Sequence, residues 1–493
     1  MTGKAVTKVG EFYELTPDKK VKDSPLYNDD IAPTKVTERT WHKWNVAALW
    51  VGMSVCVPTY TLGGVLTAYF GLDVKEALIT ILLANVIVLI PLILNAFAGT
   101  KYGIPFPVLL RSSFGTYGSN IPAIVRAFVA CGWFGIQTMF GGMAINLLLS
   151  ELSTSWASLG EKGTVIGFFI FWCMNMFVVI KGSESIKKLE NFAAPLLLLV
   201  GLGLIVWASP RIDTVALLGA APNRPEDASV WSYFFGGLTA MVGFWATLSL
   251  NIPDFSRYVK SQKDQITGQI VGLPLTMLLF AALGVVLTAA STSLVGETVS
   301  DPITLIGKID STFWVVVSMV IIIIATISTN TAANIVSPTN DFQNALPRVI
   351  NFKRGTLLTG FVGIGLMSWE LLIKLGVVVS EVSVESMYSN WLLGYSSLLG
   401  PIAGIMIVDY FLIKKQHLEL RDLYLPDGIY PAFNMPGIVA FAIPVALTIF
   451  SIATGFLPWF YSYGWFTGSL LGGVLYFGLA SAKAASVTAT ASA

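Results

Sequence analysis

The sequence predicts an all-α polytopic membrane protein of about twelve transmembrane helices, and three observations carry that prediction. First, 54% of the 493 residues are hydrophobic and only 12% are charged, with a mean hydropathy of +0.71. A soluble chain of this length would carry roughly twice that charged fraction. Second, apolar runs of about 20 residues, enough to cross a bilayer, recur from Lys43 onward. Third, two of those runs are interrupted by proline and glycine.

The runs place spans near 44–70, 76–99, 120–150, 163–181, 190–208, 230–252, 266–291, 311–336, 355–373, 383–412, 433–456 and 460–482. Residues 1–40 are polar and lack the apolar core of a signal peptide, so they are expected to form a cytosolic tail. Placing that tail inside puts roughly 24 of the basic residues on the cytosolic side and about 6 outside, the expected bias. Residues 483–493 then form a second cytosolic tail in the plasma membrane protein. Cys56, Cys131 and Cys173 all fall in apolar stretches and imply no disulfide framework. A net charge of +1 with no basic, aromatic-interleaved patch argues against nucleic acid as a partner.

Span 1 carries Pro58 and a Gly63-Gly64 pair in Val51-Gly-Met-Ser-Val-Cys-Val-Pro58 and its continuation, and span 6 carries Gly243 and Pro253. Proline removes a donor and glycine relaxes the backbone, so each helix can open and expose main-chain groups. The interruptions open each half of a ten-span unit, the pattern of an inverted-repeat secondary transporter with its site at the midplane. The domains expected are 41–210 and 225–413 as the two five-helix repeats, with 430–482 as two accessory helices.

The most informative segment follows the apolar stretch Phe313–Ile324. Thr326, Ser328, Thr329, Asn330, Thr331 and Asn334 crowd into a few residues at bilayer depth. Neutral oxygen donors there cost free energy unless partnered, so they mark a lined site. Ser328, Thr329 and the Ala325 carbonyl lie about one helical turn apart, which suits a desolvated monovalent cation. Asn334, further along, can present an amide to a polar ligand.

Trp133 and Gln137 in span 3 share a helix face. An indole offers a stacking surface, and a carboxamide both donates and accepts. With Trp245 as a second aromatic wall and Asn334 as a second amide, the set suits a planar, neutral, hydrogen-bonding heterocycle. An amino acid would call for a charge partner, and a sugar for more polar groups. Tryptophans also anchor helices at the interface and lone glutamines bridge helices, but the joint occurrence on spans 3, 6 and 8 favours a site.

The chain resembles the nucleobase:cation symporter family 1 from about Arg39 to Leu479. The segments that carry the likeness are Arg39-Thr-Trp-His-Lys-Trp-Asn45, Ala98-Gly-Thr-Lys-Tyr-Gly-Ile-Pro-Phe-Pro107, Gly132-Trp-Phe-Gly-Ile-Gln137, Asn251-Ile-Pro-Asp-Phe-Ser-Arg257, Ser328-Thr-Asn-Thr-Ala-Ala-Asn-Ile-Val-Ser-Pro338 and Gly400-Pro-Ile-Ala-Gly-Ile-Met-Ile-Val-Asp-Tyr-Phe411. Within the family it is most similar to bacterial allantoin permeases. The resemblance implies a LeuT-like five-plus-five core and transport of purines, pyrimidines, hydantoins or allantoin. It implies substrate contacts by Trp133, Gln137, the main chain of Phe244, Trp245 and Asn334. It also implies a Na⁺ site from the carbonyls of Gly52, Val55 and Ala325 with the hydroxyls of Ser328 and Thr329. Cys56 stands where the hydantoin transporter has glutamine, which argues against hydantoin itself as the ligand.

No organic cofactor is expected, only Na⁺ or H⁺ as the coupling ion. His42 and His417 lie at helix ends, and no carboxylate falls in the middle of spans 1, 3, 6 or 8, so neutral oxygens favour Na⁺ over a titrating group. Glu370, Glu381 and Glu385 near the span 9–10 connection are the nearest proton candidates. Asp254 and Arg257 are expected to pair, Asp409 to be a helix-end charge, and Arg111-Ser-Ser-Phe-Gly115 to be a short cytosolic connection. No zinc motif or nucleophile elbow supports an enzyme, and the polar residues cluster in one zone instead of forming a channel stripe. A monomer is expected.

Overall fold

The computed structural model describes residues 6–492, apart from 182, 220–222, 226 and 381–383. Among these, ten helices are long and apolar enough to cross a membrane, and an eleventh crossing is a pair bent by 60°. That pair, Lys43–Ser54 and Val57–Ala68, is span 1. Span 6 begins as the shorter apolar helix Val230–Phe244 and continues as Ala246–Asn251 and Pro253–Ser256. The remaining spans are Val74–Tyr102, Asn120–Leu152, Glu161–Lys181, Ser183–Ala208, Gln262–Val295, Thr312–Asn334, Phe352–Lys374, Val384–Ile407, Met435–Thr454 and Gly464–Ser492, numbered in order around spans 1 and 6.

Both expected interruptions are present, and each sits a few residues from the expected place. Span 1 opens at Val55 and Cys56, whose backbones leave the helical region, and Pro58 starts the second half as a residue that needs no amide partner. Gly63 and Gly64 lie inside that second half. Span 6 opens at Trp245 (φ −95°, ψ 4°) directly after Gly243 and Phe244, while Pro253 opens a separate short turn. Span 8 is interrupted too, at Ile335 between Thr312–Asn334 and Val336–Ala345.

Gly63 and Gly64 serve packing. Span 7 crosses span 1 so closely that a Cβ on Gly284 would lie 1.9 Å from Tyr60 O, and one on Gly63 would lie 2.1 Å from Ala281 O. Helix association without a water-driven apolar term rests on such approaches of backbone to backbone.

Three segments carry more structure than the sequence reading gave them. Residues 6–38 form a folded cap: strands Val6–Val9 and Phe12–Leu15 form an antiparallel hairpin, and Val21 and Ile31 are fully buried. Arg39 anchors the cap by donating to the carbonyls of Tyr13, Thr34 and Thr100, and burial brings its guanidinium down to about 10, still charged at neutral pH. The Arg111 segment is a buried helix, Phe106–Phe114, instead of a surface connection. The last span runs on to Ser492, so residues 483–492 continue a helix.

The Arg111 guanidinium is fully buried and has no carboxylate partner among the described residues. It donates to Asn344 Oδ1, Leu423 O and Leu26 O at 3.0–3.1 Å, and so joins the cap to the segments that follow spans 8 and 10. Asp409 is buried rather than a free helix end, and accepts from Ser112 Oγ at 2.7 Å and Tyr476 Oη at 2.6 Å. It thereby couples the accessory span 12 to span 10.

The span 1–span 7 crossing yields a direct test. Gly284→Val is expected to abolish the monodisperse peak of the detergent-solubilised protein in size-exclusion chromatography. Gly365→Ala, where an added Cβ meets nothing within 4 Å, is expected to leave that peak unchanged.

Candidate functional site

The breaks in spans 1 and 6 bring aromatic rings into one chain of contacts. Trp50 meets Trp245 edge-on at 5.2 Å, Trp245 meets Phe244 at 5.0 Å, and Phe244 meets Trp133 at 5.2 Å. Trp133 in turn contacts Tyr388 at 5.8 Å and Tyr395 at 6.2 Å, both on span 10. Trp133, Trp245, Phe244 and Gln137 are all buried. The structure therefore collects the expected span 3 and span 6 residues and adds three rings that the sequence reading did not include.

Three polar atoms in this group are buried without a hydrogen-bond partner among the described residues: Trp50 Nε1, Trp133 Nε1 and Gln137 Oε1, the last two on the same helix. An unsatisfied donor and an unsatisfied acceptor on one helix face, one turn apart, cost about 1–3 kcal/mol each unless something supplies the complement. A ligand edge carrying both a carbonyl and an N–H would satisfy them. Trp245 differs: its Nε1 donates to Asn85 Oδ1 at 3.0 Å, and Asn85 itself is held by donating Nδ2 to Ile81 O at 2.7 Å.

Asn334 ends the first part of span 8. Its Nδ2 donates to Asn330 Oδ1 at 3.0 Å, and Asn330 Nδ2 donates to Phe134 O at 3.2 Å, next to Trp133 in the chain. This link places the amides of span 8 against span 3 at the level of Trp133 and Gln137.

Two of the expected cation donors meet at the opening of span 1. Thr329 Oγ1 donates to Gly52 O at 3.3 Å, so span 8 touches the last helical carbonyls before the break. Val55, Ala325, Ser328 and Thr329 are buried and Gly52 is half-buried. Every one of these donors is a neutral oxygen, as hard monovalent cations require. Among the described residues no group of three His, Cys, Asp or Glu could hold a metal ion.

Span 10 supplies hydroxyls to both breaks. Tyr388 Oη donates to Pro58 O at 3.1 Å and Tyr395 Oη donates to Gly243 O at 2.8 Å. Seven residues apart, the two tyrosines share a face, and that spacing in an apolar run was the available signal. A cavity of about 710 Å³ opens at the ends of the spans remote from the N-terminal cap. Ile136, Met139 and Phe140 of span 3 line it with Tyr388 and Trp391 of span 10, and Glu297 and Glu370 stand among its other residues. Trp133 and Gln137 are not among its lining residues, whereas Tyr388 lines it and also contacts Trp133.

Carboxylates are buried in the short helices that continue spans 6 and 8, and none lies in the middle of the spans themselves, as the sequence reading expects. Asp341, two turns beyond Asn334, pairs with Arg126 of span 3 at 3.2 Å, with both side chains fully buried. Asp254 lies in the same region, accepts from Phe106 N at 2.9 Å and interacts electrostatically with Arg126. It makes no ion pair with Arg257, which donates instead to Asp30 O and Tyr258 Oη. Glu385 accepts from Ser300 Oγ at 2.9 Å. Glu381 lies outside the described residues. An arginine within an apolar span was the sequence signal for the Arg126 cluster.

The family model for permeases of cytosine/purines, uracil, thiamine and allantoin matches residues 33–475. The chain belongs to the nucleobase:cation symporter family 1. It is 42% identical over 452 residues to a purine-uracil permease of Arabidopsis thaliana, covering 89% of this chain and 73% of that one. To an allantoin permease of Bacillus subtilis it is 38% identical over 468 residues, covering 92% of each. Among solved structures, Mhp1, a nucleobase-cation-symport-1 transporter in a closed conformation with bromovinylhydantoin bound, superposes with a TM-score of 0.75. That match is at 26% identity and covers 92% of this chain and 95% of the other. The transporter MhsT matches at a TM-score of 0.56 and 13% identity, a likeness of fold alone, over 87% of this chain and 97% of that one. As a member of this family the protein is a multi-pass membrane transporter with the LeuT-like fold, and its relatives are permeases of nucleobases and related heterocycles.

Two consequences of the buried polar contacts can be measured by unfolding the purified transporter in detergent. Asn85→Leu leaves Trp245 Nε1 unpaired and is expected to cost about 1–3 kcal/mol. Arg126→Met strands the Asp341 carboxylate and is expected to cost about 3–5 kcal/mol, most of which Arg126→Met combined with Asp341→Leu restores.

Proposed function

We propose that this transporter imports a nucleobase-like heterocycle, of the allantoin, uracil, cytosine or hydantoin type, by Na⁺ symport through alternating access. The observation that carries the substrate reading is the unsatisfied pair Trp133 Nε1 and Gln137 Oε1, buried among Phe244, Trp245 and the span 10 tyrosines. A planar heterocycle would stack on the Trp133 indole and offer its amide or imide edge to Gln137 and Asn334. Desolvation of that edge strengthens each hydrogen bond and makes an edge of the wrong pattern expensive.

The contact of Thr329 Oγ1 with Gly52 O supports the Na⁺ reading. A cation at this position would take the carbonyls of Gly52, Val55 and Ala325 with the hydroxyls of Ser328 and Thr329, replacing the Thr329–Gly52 hydrogen bond that now joins span 1 to span 8. Binding there ties the two spans together. Na⁺ then favours whichever conformation brings them into contact, and a substrate read by span 8 binds better to that conformation.

On this reading, residues 41–210 and 225–413 act as the two inverted repeats, and both termini face the cytosol of a monomer in the plasma membrane. The cavity beside Tyr388 is the external vestibule. A second reading, proton coupling at the same substrate site, is favoured by the buried Arg126–Asp341 pair with Asp254 nearby. Two carboxylates there face one guanidinium.

Uptake of radiolabelled allantoin and uracil into cells expressing the transporter, with Na⁺ or with choline, tests both readings. Na⁺-stimulated, saturable uptake is expected, and Gln137→Ala should reduce it about 5- to 150-fold, the equivalent of one lost buried hydrogen bond. Thr329→Ala is expected to remove the Na⁺ stimulation while leaving residual uptake. Stimulation that survives in Thr329→Ala overturns the Na⁺ site, and stimulation by an inward proton gradient that Asp341→Asn removes establishes the second reading.

A further inference from the structure

Asn334 is an amide, and an amide can present either end. A carboxamide that turns freely accepts from a ligand N–H or donates to a ligand carbonyl or ring nitrogen, and so reads nothing. Selectivity requires that one end be committed elsewhere. In this transporter the commitment can be traced to a group with no choice of role.

That group is the Phe134 carbonyl, which can only accept. Two donors converge on it from side chains: Thr138 Oγ1 at 2.7 Å and Asn330 Nδ2 at 3.2 Å. Asn330 Nδ2 also reaches Thr138 Oγ1 at 3.4 Å, whose hydroxyl hydrogen is already spent on Phe134 O. Asn330 must therefore turn its nitrogen towards span 3, and its oxygen points the other way. Asn334 Nδ2 donates to that oxygen at 3.0 Å. This contact fixes which way the Asn334 carboxamide faces: one N–H of Nδ2 is spent on the relay, and Oδ1 is turned away from Asn330 and accepts no hydrogen bond among the described residues. Asn330 is fully buried and Asn334 is 5% exposed, so water offers little alternative to the relay.

The other polar groups are not committed in this way. Gln137 makes no hydrogen bond at either end of its carboxamide among the described residues, so it follows the polarity that Asn334 sets. The Trp245 N–H is spent on Asn85, whereas the indole N–H groups of Trp50 and Trp133 have no hydrogen-bond partner among the described residues.

Resting on the proposed substrate site, we infer that Asn330 is a positioning residue that sets specificity. Through the relay Phe134 O–Asn330–Asn334 it holds the Asn334 carboxamide oxygen towards the ligand. The pocket thereby selects a heterocycle whose recognised edge presents ring N–H donors, as cyclic imides and ureides do. It selects against a ring nitrogen that can only accept. Asn330 acts through Asn334 and touches no ligand itself.

Uracil and cytosine have nearly the same shape but opposite patterns on this edge: N3–H is a donor in uracil, whereas N3 is an acceptor in cytosine. Their ratio of half-inhibitory concentrations against uptake of labelled allantoin or uracil reads the polarity. It is also independent of how much of a variant folds. The wild-type transporter is expected to prefer uracil about 100-fold, as a site with committed hydrogen-bonding ends does. Asn330→Leu frees Asn334 to turn, and the ratio should fall to about 10-fold or less. Asn330→Asp, held as a neutral carboxyl group by full burial, still offers an O–H to Phe134 O and an oxygen to Asn334 Nδ2, and should retain the wild-type ratio.

A wild-type ratio that favours cytosine overturns the inference, as does an unchanged ratio in Asn330→Leu. Failure of both compounds to compete in a transporter that carries allantoin also overturns it, because an edge reading of this kind admits uracil. Absence of any wild-type heterocycle uptake overturns the proposed function first, and the inference with it.

Discussion

A helix that opens inside a bilayer exposes main-chain carbonyls and amides to a medium that cannot hydrogen-bond them, each at a cost of several kcal/mol. That constraint organises this transporter. The breaks at Val55–Cys56 and at Trp245 are tolerated because neighbouring spans bring side-chain hydroxyls to them: Thr329 to Gly52 O, Tyr388 to Pro58 O and Tyr395 to Gly243 O. The breaks, the aromatic group and the span 8 oxygens therefore form one cooperative unit. The groups that satisfy the backbone are the same ones that stand beside the residues proposed to hold substrate and cation.

Around this unit the packing is arranged to keep some crossings rigid. The Gly284–Tyr60 approach leaves no room for a side chain, so spans 1 and 7 travel together. The Arg126–Asp341 pair, by contrast, is a charge-assisted contact between spans 3 and 8 that breaks only with the stranding of a buried charge. The N-terminal cap crosses the same end of the molecule, with Arg39 and Arg111 each holding several carbonyls from different segments. Buried arginines satisfied by neutral oxygens avoid like-charge repulsion, and they fasten irregular backbone that apolar contacts alone would not hold.

The transport unit and the broken helices were legible in the sequence because the bilayer imposes a length and a composition that no other environment demands. The position of each break was less legible. Prolines mark where a helix can start again, as Pro58 does, and do not mark where it opened. Trp133, Gln137, Trp245 and Asn334 stood out because aromatic and amide side chains at bilayer depth need a reason to be there. Tyr388 and Tyr395 did not stand out, since a tyrosine in an apolar run also reads as an interfacial anchor. The burial of Asp341 and Asp254 was not legible because they lie past the apolar stretches that define spans 8 and 6, where a carboxylate looks solvated until the tertiary fold buries it.

By itself the sequence determined the class, the approximate span count, the two interrupted spans and the residue types available to a ligand, all of which follow from local composition and spacing. Only the tertiary structure decided which ends of those residues are free. The indole N–H of Trp133 is unpartnered while that of Trp245 is taken by Asn85, and Asn334 is turned by Asn330 through the Phe134 carbonyl. The physical reason is that hydrogen-bond commitment is a pairwise property of groups far apart in the chain. A sequence displays every donor and acceptor, but the fold determines which are already spent.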